Sequence, residues 1–210
     1  KTSLADFQNI RTNGTIAINV DEGDCLLDVV LTDGTKRIFI ATHNGLAIRF
    51  DEKNARPMGR ATRGTRGIEL RQDDLVVSVC AVSAEDKERM LSVSEQGYGK
   101  RTEREEYRGQ SRGGIGIINI QTSDRNGKVV GIAQVHDDDE LMLITQQGKI
   151  LRMASKDIRT IGRATQGVRL IDIEGEDRAV SVARLAERDD QAVTEQQLEP
   201  EPPAEPPAEE

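Results

Sequence analysis

The 210-residue chain repeats itself with a period of about 50 residues, and that period governs what it can fold into. Thr42-His-Asn-Gly-Leu-Ala-Ile-Arg-Phe, Ser94-Glu-Gln-Gly-Tyr-Gly-Lys-Arg-Thr and Thr145-Gln-Gln-Gly-Lys-Ile-Leu-Arg-Met share one pattern, with Gly45, Gly97 and Gly148 spaced by 52 and 51 residues. A second series, Gly14-Thr-Ile-Ala-Ile, Gly64-Thr-Arg-Gly-Ile, Gly114-Ile-Gly-Ile-Ile and Gly167-Val-Arg-Leu-Ile, keeps a similar beat at intervals of 50, 50 and 53. Four copies are visible, the first truncated. A period in this range marks a stacked or radial repeat architecture in which no copy buries its apolar faces alone.

Within a copy, short apolar runs such as Arg37 to Ala41, Leu46 to Phe50, Gly67 to Leu70 and Leu75 to Val82 are separated by Gly, Asp and Asn turns. The apolar stock is Val, Ile and Leu with only 2% aromatics and no Trp, a composition that favours strands. The expected fold is therefore all-β, a propeller-like array of four-stranded blades of about 50 residues. The repeats are expected at about 1–38, 39–88, 89–139 and 140–188, followed by a tail at 189–210. Because Lys1 opens in mid-repeat, at least one further blade or partial blade is expected upstream.

The net charge of −8 argues at first against a nucleic-acid partner, but its distribution reverses that impression. Eight of the 37 acidic residues lie from Asp189 onward, so the preceding body holds 29 acids against all 29 Lys and Arg. The tail ends in Glu-Pro-Glu-Pro-Pro-Ala-Glu-Pro-Pro-Ala-Glu-Glu, which has nothing to bury and cannot hold a helix or ladder. It is expected to be disordered, either as a solubilising terminus or as an electrostatic competitor for the cationic surface of the body. No apolar run is long enough to span a membrane, and no signal peptide is evident, so a cytoplasmic location is expected. Cys25 and Cys80 are isolated and read as buried thiols.

Arginine outnumbers lysine 21 to 8 and gathers in the turn-rich part of each repeat. The clusters are Arg56, Arg60, Arg63, Arg66 and Arg71, then Lys100, Arg101, Arg104, Arg108 and Arg112, then Lys149, Arg152, Lys156, Arg159, Arg163 and Arg169. In a radial array, equivalent loops emerge at equivalent places, so these residues form a discontinuous positive track. Guanidinium groups and glycine-rich backbone suit phosphate oxygens without reading base sequence. The expected phosphate contacts are Arg56, Arg60, Arg63, Arg66, Lys100, Arg101, Arg112, Lys149, Arg152, Arg159, Arg163 and Arg169. The competing reading is local neutralisation by acids such as Glu103, Glu105, Glu106 and Asp157, but residues 54–68 hold four arginines and no acid.

Gly59-Arg-Ala-Thr-Arg-Gly-Thr and Gly162-Arg-Ala-Thr-Gln-Gly-Val have the glycine spacing of a P-loop without its lysine, so nucleotide binding is not expected. His43 and His136 lack partners at ligand spacing, and Asp137-Asp-Asp-Glu140 reads as an exposed turn, so no metal site is expected. Nothing in the motifs argues for catalysis. A propeller-type protein-interaction scaffold is the reading from another class that the repeats alone leave open.

Gly97-Tyr-Gly-Lys-Arg-Thr followed by Glu106-Tyr, then Arg125-Asn-Gly-Lys-Val-Val-Gly, then Gly162-Arg-Ala-Thr-Gln-Gly-Val, resemble, in this order, the C-terminal domain of the A subunit of bacterial DNA gyrase. The resemblance runs from Lys1 to about Leu185. It implies a β-pinwheel, whose neighbouring blades exchange strands and whose basic perimeter wraps double-stranded DNA to support ATP-dependent negative supercoiling. It further implies a non-catalytic domain without a cofactor. The partners implied are the catalytic core of the gyrase A subunit, with the gyrase B subunit reached through it, and the location implied is nucleoid-associated. The cleavage tyrosine and the ATP and Mg2+ elements belong to other parts of such an enzyme, so Tyr98 and Tyr107 are not that tyrosine. The family's Gln-Arg-Arg-Gly-Gly-Lys-Gly box is absent, and Ser111 to Gly116 is a weakened echo with Ile115 in place of Lys. The similar C-terminal domain of topoisomerase IV is the alternative within the family.

Overall fold

A computed structural model describes residues 1–9, 12–83 and 88–185. The acidic tail from Asp189 lies outside the described residues. Three hairpins carry the repeat: β1 (Arg37–Thr42) with β2 (Leu46–Asp51), β4 (Arg89–Ser94) with β5 (Tyr98–Glu103), and β8 (Glu140–Thr145) with β9 (Ile150–Ala154). Each turns on the glycine of the first series, with φ of 87° at Gly45, 73° at Gly97 and 85° at Gly148, a region that only glycine enters without strain. A 3-10 turn closes each hairpin, at Glu52–Asn54, Arg104–Glu106 and Ser155–Asp157.

The remaining strands are β3 (Val76–Val82), β6 (Ile117–Ile118), β7 (Val129–Val135), β10 (Val168–Arg169) and β11 (Ala179–Leu185). They complete the blades in an order that sequence does not follow. β3, β7 and β11 return antiparallel to β1, β4 and β8 of their own repeat, whereas β6 and β10 pair with β2 and β5 of the preceding repeat. The sheets are thus β3-β1-β2-β6, β10-β5-β4-β7 and β11-β8-β9. The all-β, propeller-like architecture with exchange between neighbouring blades is present as expected.

Exchange shifts one expected equivalence. The glycine matching Gly167 is Gly116, not Gly114: both have φ above 80°, and a Cβ would lie 2.7 Å from the Ala47 carbonyl at Gly116 and 2.8 Å from the Gly99 carbonyl at Gly167. Gly64, Gly116 and Gly167 then fall 52 and 51 residues apart, the interval of the hairpin glycines. Gly67 to Leu70, expected as a strand, is not one. Segments of this kind add to the hairpin of the preceding repeat, and the described residues contain no hairpin before β1.

The same reason explains the start of the chain. Before Arg37 the described residues hold one 3-10 turn, Leu4–Phe7, and no strand. Ile16, Leu26, Leu27, Val29 and Leu31 are exposed, and Cys25, expected to be buried, is exposed with them. Cys80, also expected to be buried, is half-buried on β3 with its thiol against the Ile132 carbonyl, and desolvation pushes it up to about 11.

Between blades one and two the core joins Phe39, Ala41, Ala47 and Val82 to Met90, Tyr107 and Ile132, with the Tyr107 ring edge-on to Phe39 at 5.4 Å. A buried polar triad lies beside it: Tyr107 Oη donates to Asn119 Oδ1 at 2.5 Å, and Asn119 Nδ2 donates to Ser92 Oγ at 3.0 Å. One period later the corresponding residues are Ile158, Leu170 and Leu143, so at these three positions the second interface is apolar. Each fully buried aliphatic there contributes roughly 1.5–3 kcal/mol. Ser92 Oγ also lies within donor distance of Asn119 Oδ1, at 3.1 Å, so loss of the phenol removes one of two donors to this buried acceptor. Tyr107→Phe should therefore destabilise the chain by about 1 kcal/mol, read as a lower urea midpoint at unchanged slope. An unaltered midpoint would show that water replaces the phenol.

Candidate nucleic-acid interface

After the second and third hairpins the chain doubles back along the outer edge of the preceding blade and carries an arginine-bearing loop before it pairs. The Gln110 amide donates to the Arg49 carbonyl at 2.8 Å before the chain reaches β6, and the Ile161 amide donates to the Arg101 carbonyl at 2.9 Å before it reaches β10. Successive loops also bond to one another. Asn19 donates to the Thr62 carbonyl at 3.0 Å, Gly113 to Gly67 at 2.7 Å, and Gln121 to Thr165 at 2.9 Å. The exchanged segments therefore form one continuous belt over the outer strands.

Three arginine series keep the 52 and 51 interval along this belt. Arg56, Arg108 and Arg159 follow the three 3-10 turns, are exposed, and make no ion pair with any described residue. Arg60, Arg112 and Arg163 are half-buried and have a second task. Arg112 Nη1 donates to the Arg66 carbonyl at 2.5 Å, and Arg163 Nη1 to the Ile118 carbonyl at 2.6 Å, so each clamps the equivalent residue of the preceding loop. Arg60 instead lies over the Phe7 ring, 5.9 Å from its centroid. A guanidinium has five donors, so a clamp through one or two of them leaves others facing outward.

The third series, Arg49, Arg101 and Arg152, lies on the hairpins. Arg49 stacks 6.0 Å from Phe39 and donates to the Arg104 carbonyl, and Arg152 is exposed and paired with Glu140. Arg101, expected as a phosphate contact, is buried: Nε donates to the Ile158 carbonyl at 2.8 Å, Nη2 to Lys156 at 3.2 Å, and Nη1 pairs with Asp137. Lys100, also expected there, is fully buried, with Nζ donating at 2.6 Å to both the Gly162 and the Arg163 carbonyls. A sequence reading places both on the surface by residue type. The exchanged loop covers them.

The other expected contacts are at the surface. Arg66 is exposed, Arg63 is exposed beside Asp21 at 3.2 Å, and Lys149 is exposed with Nζ on the Asp172 carbonyl at 2.6 Å. Arg169 pairs with Asp172 at 2.9 Å and meets Tyr98. Arg125 was missed by the periodic argument because the matching positions of the other repeats are Asp73 and Glu176. It stacks on Tyr98 at 5.1 Å from the ring and donates to its phenol oxygen at 3.2 Å, where Arg169 also donates at 3.3 Å. These two guanidiniums hold the phenol below its ordinary range. The sequence signals that mark Arg125 are the turn Asp124-Arg-Asn-Gly and the motif Arg125-Asn-Gly-Lys-Val-Val-Gly that it opens.

The acidic run after β7 is structural. Asp137 accepts from Arg101 and from Arg89, whose Nη1 lies 2.5 Å away, and these two bonds lower its carboxyl below the usual range. His136 pairs with Glu88, His43 lies 3.7 Å from Glu95, and no group of three or more metal-ligating side chains occurs among the described residues. The cleft of about 1070 Å³ between the N-terminal segment and Gly59–Ala61 is open and has a mixed polar and apolar lining.

Known proteins place this geometry. The DNA gyrase C-terminal domain, beta-propeller family matches residues 1–33, 36–83, 88–136 and 139–186. The DNA gyrase A subunit of Haloquadratum walsbyi is 44% identical over 190 residues, covering 90% of this chain and 22% of that protein. The DNA gyrase A subunit of Salmonella typhimurium is 42% identical over 187 residues, covering 89% and 21%. The chain thus spans about a fifth of the length of these curated relatives. Among solved structures, the C-terminal domain of DNA topoisomerase IV superposes with a TM-score of 0.82 at 27% identity, covering 88% of this chain and 57% of that one. The DNA gyrase A C-terminal domain superposes with 0.79 at 27% identity, covering 88% and 61%.

Burial drives the Lys100 ammonium down to about 7, against the pull of the Glu106 carboxylate and with a smaller push from Arg163. An unfolded chain holds this proton up to about pH 10. Between about 7 and about 10 the unfolded state therefore binds more protons than the native one, and stability rises with pH across that window. Thermal midpoints of the chain and of Lys100→Met, compared from pH 6 to pH 9.5, should converge as pH rises if Lys100 is the group responsible. Parallel curves would remove the assignment.

Proposed function

The chain belongs to the family of DNA gyrase A C-terminal domains, and from that premise we propose that its arginine belt binds the backbone of double-stranded DNA and bends it around the rim. The observation that carries this reading is the series Arg56, Arg108 and Arg159, exposed, without ion pairs among the described residues, and repeated at one phase on consecutive blades. Blades related by a repeated rotation present these cations at regular steps, which suits a polyanion that curves with them. Arg60, Arg112 and Arg163 supply a second row four residues further along the same loops, Arg125 and Arg169 add a contact zone at the Tyr98 hairpin turn, and Arg66 adds an exposed cation on the first loop. Contacts of this type fix the path of a duplex without reading its bases, as in other proteins that wrap DNA on arginines.

In this reading the domain carries no chemistry. It hands a bent segment to a cleavage core and, through that, to the ATP-using subunit of a type II topoisomerase, where ATP and Mg2+ act on negative supercoiling. The setting would be the bacterial cytoplasm at the nucleoid. No helix of the described residues is long and apolar enough to cross a membrane.

The triple variant Arg56→Gln, Arg108→Gln, Arg159→Gln tests the assignment by duplex binding over a salt series. Losing three phosphate contacts should lower the slope of log K against log salt by roughly 2–3 and weaken binding equally on unrelated sequences. An unchanged slope would refute this belt as the contact surface.

A further inference from the structure

We propose that Lys100, with Thr102 beside it, is a positioning residue of the DNA-binding rim, holding the loop that presents Arg159 and Arg163. This inference rests on the DNA-binding reading above and adds a role for residues that never reach the ligand.

The grip is specific to one place. From Ile158 to Arg163 the chain crosses β5, and side chains of three consecutive β5 residues take its carbonyls: Arg101 takes Ile158 at 2.8 Å, Thr102 takes Ile161 at 3.0 Å, and Lys100 takes Gly162 and Arg163 at 2.6 Å each. Glu106 closes the same loop from the other side, accepting the Arg163 amide at 3.0 Å. The loop backbone between the two outward-facing arginines is thereby tied to blade two, although it belongs to the third repeat.

The fold does not ask for a cation at this position. One period earlier the equivalent residue is Ile48, and one period later it is Leu151, both partly or fully buried within apolar clusters. A buried ammonium carries a desolvation cost that an apolar residue of similar length avoids. Blade two keeps the costly residue, and what distinguishes it is the loop it holds. Two carbonyls converge on the Lys100 nitrogen, whose N–H groups bond both, with charge assistance while it is protonated, and those bonds restrict the loop in a way that Ile48 and Leu151 cannot. Pre-set guanidiniums bind with less ordering cost at the moment of contact.

The test uses Lys100→Met in the full chain, with Thr102→Val as a second variant that removes the neighbouring bond and no charge. Thermal midpoint, amide hydrogen exchange of residues 159–167 and affinity for a long duplex are measured together. The expected result is a midpoint that is unchanged or raised near pH 7, faster exchange confined to the loop, and roughly 5- to 10-fold weaker DNA binding, in keeping with the ordering cost of two arginines. Faster exchange with unaltered affinity overturns the proposal, as does a fall in midpoint that accounts for the whole loss of binding. Arg159→Gln serves as the reference. If it and both loop variants leave affinity untouched, the DNA-binding reading of this rim fails. If it alone weakens binding, only the positioning role fails.

Discussion

No repeat of this chain can finish its own sheet. Each hairpin exposes one edge to solvent, and an uncovered edge is a row of unmet donors and acceptors. The chain covers β2 with β6 and β5 with β10, each drawn from the following repeat, so every completed blade depends on its neighbour for both pairing and core. The mixed cores follow from this: Phe39 of one blade meets Tyr107 of the next, and Leu91 meets Ile171 and Ile158 of the third repeat.

Exchange also decides where the arginines go. The exchanged segment must lie on the outside of the preceding blade, and the residues between its first contact and its strand pairing have no room inside, so they bulge outward. Some of the guanidiniums in that bulge hold the belt together, as Arg112 and Arg163 do through carbonyls of the loop before. Others, such as Arg56, Arg108 and Arg159 just ahead of it, face solvent. The acids of the body divide in a similar way. Exposed Asp137 and buried Glu52 and Glu88 pair with Arg101, Lys1 and His136 away from the belt arginines, which leaves the belt less neutralised than the composition of the body suggests.

The architecture was legible because its signals are local and periodic. Gly45, Gly97 and Gly148 mark hairpin turns whose φ only glycine tolerates, and Val-rich runs such as Val76–Val82 and Val129–Val135 read as strands from their composition. Legibility failed where a residue's fate depends on a segment of another repeat. Gly114 stood in for Gly116 because Gly-Gly-Ile-Gly offers two phases, and only the Ala47 carbonyl against position 116 selects one. Gly67 to Leu70 has the composition of a strand but no hairpin among the described residues to join.

What the sequence determined by itself is the repeat, its β character, the turns and the phase at which arginine recurs, because each arises from interactions within about ten residues of chain. What only the tertiary structure decided is which of those cations face outward. Lys100 and Arg101 belong to the same cluster as Arg108 by sequence, yet the loop of the next repeat closes over the first two and leaves the third in water. Burial there is set by contacts more than fifty residues distant, as in the bonds from Lys100 to Gly162 and Arg163, and no local pattern encodes it.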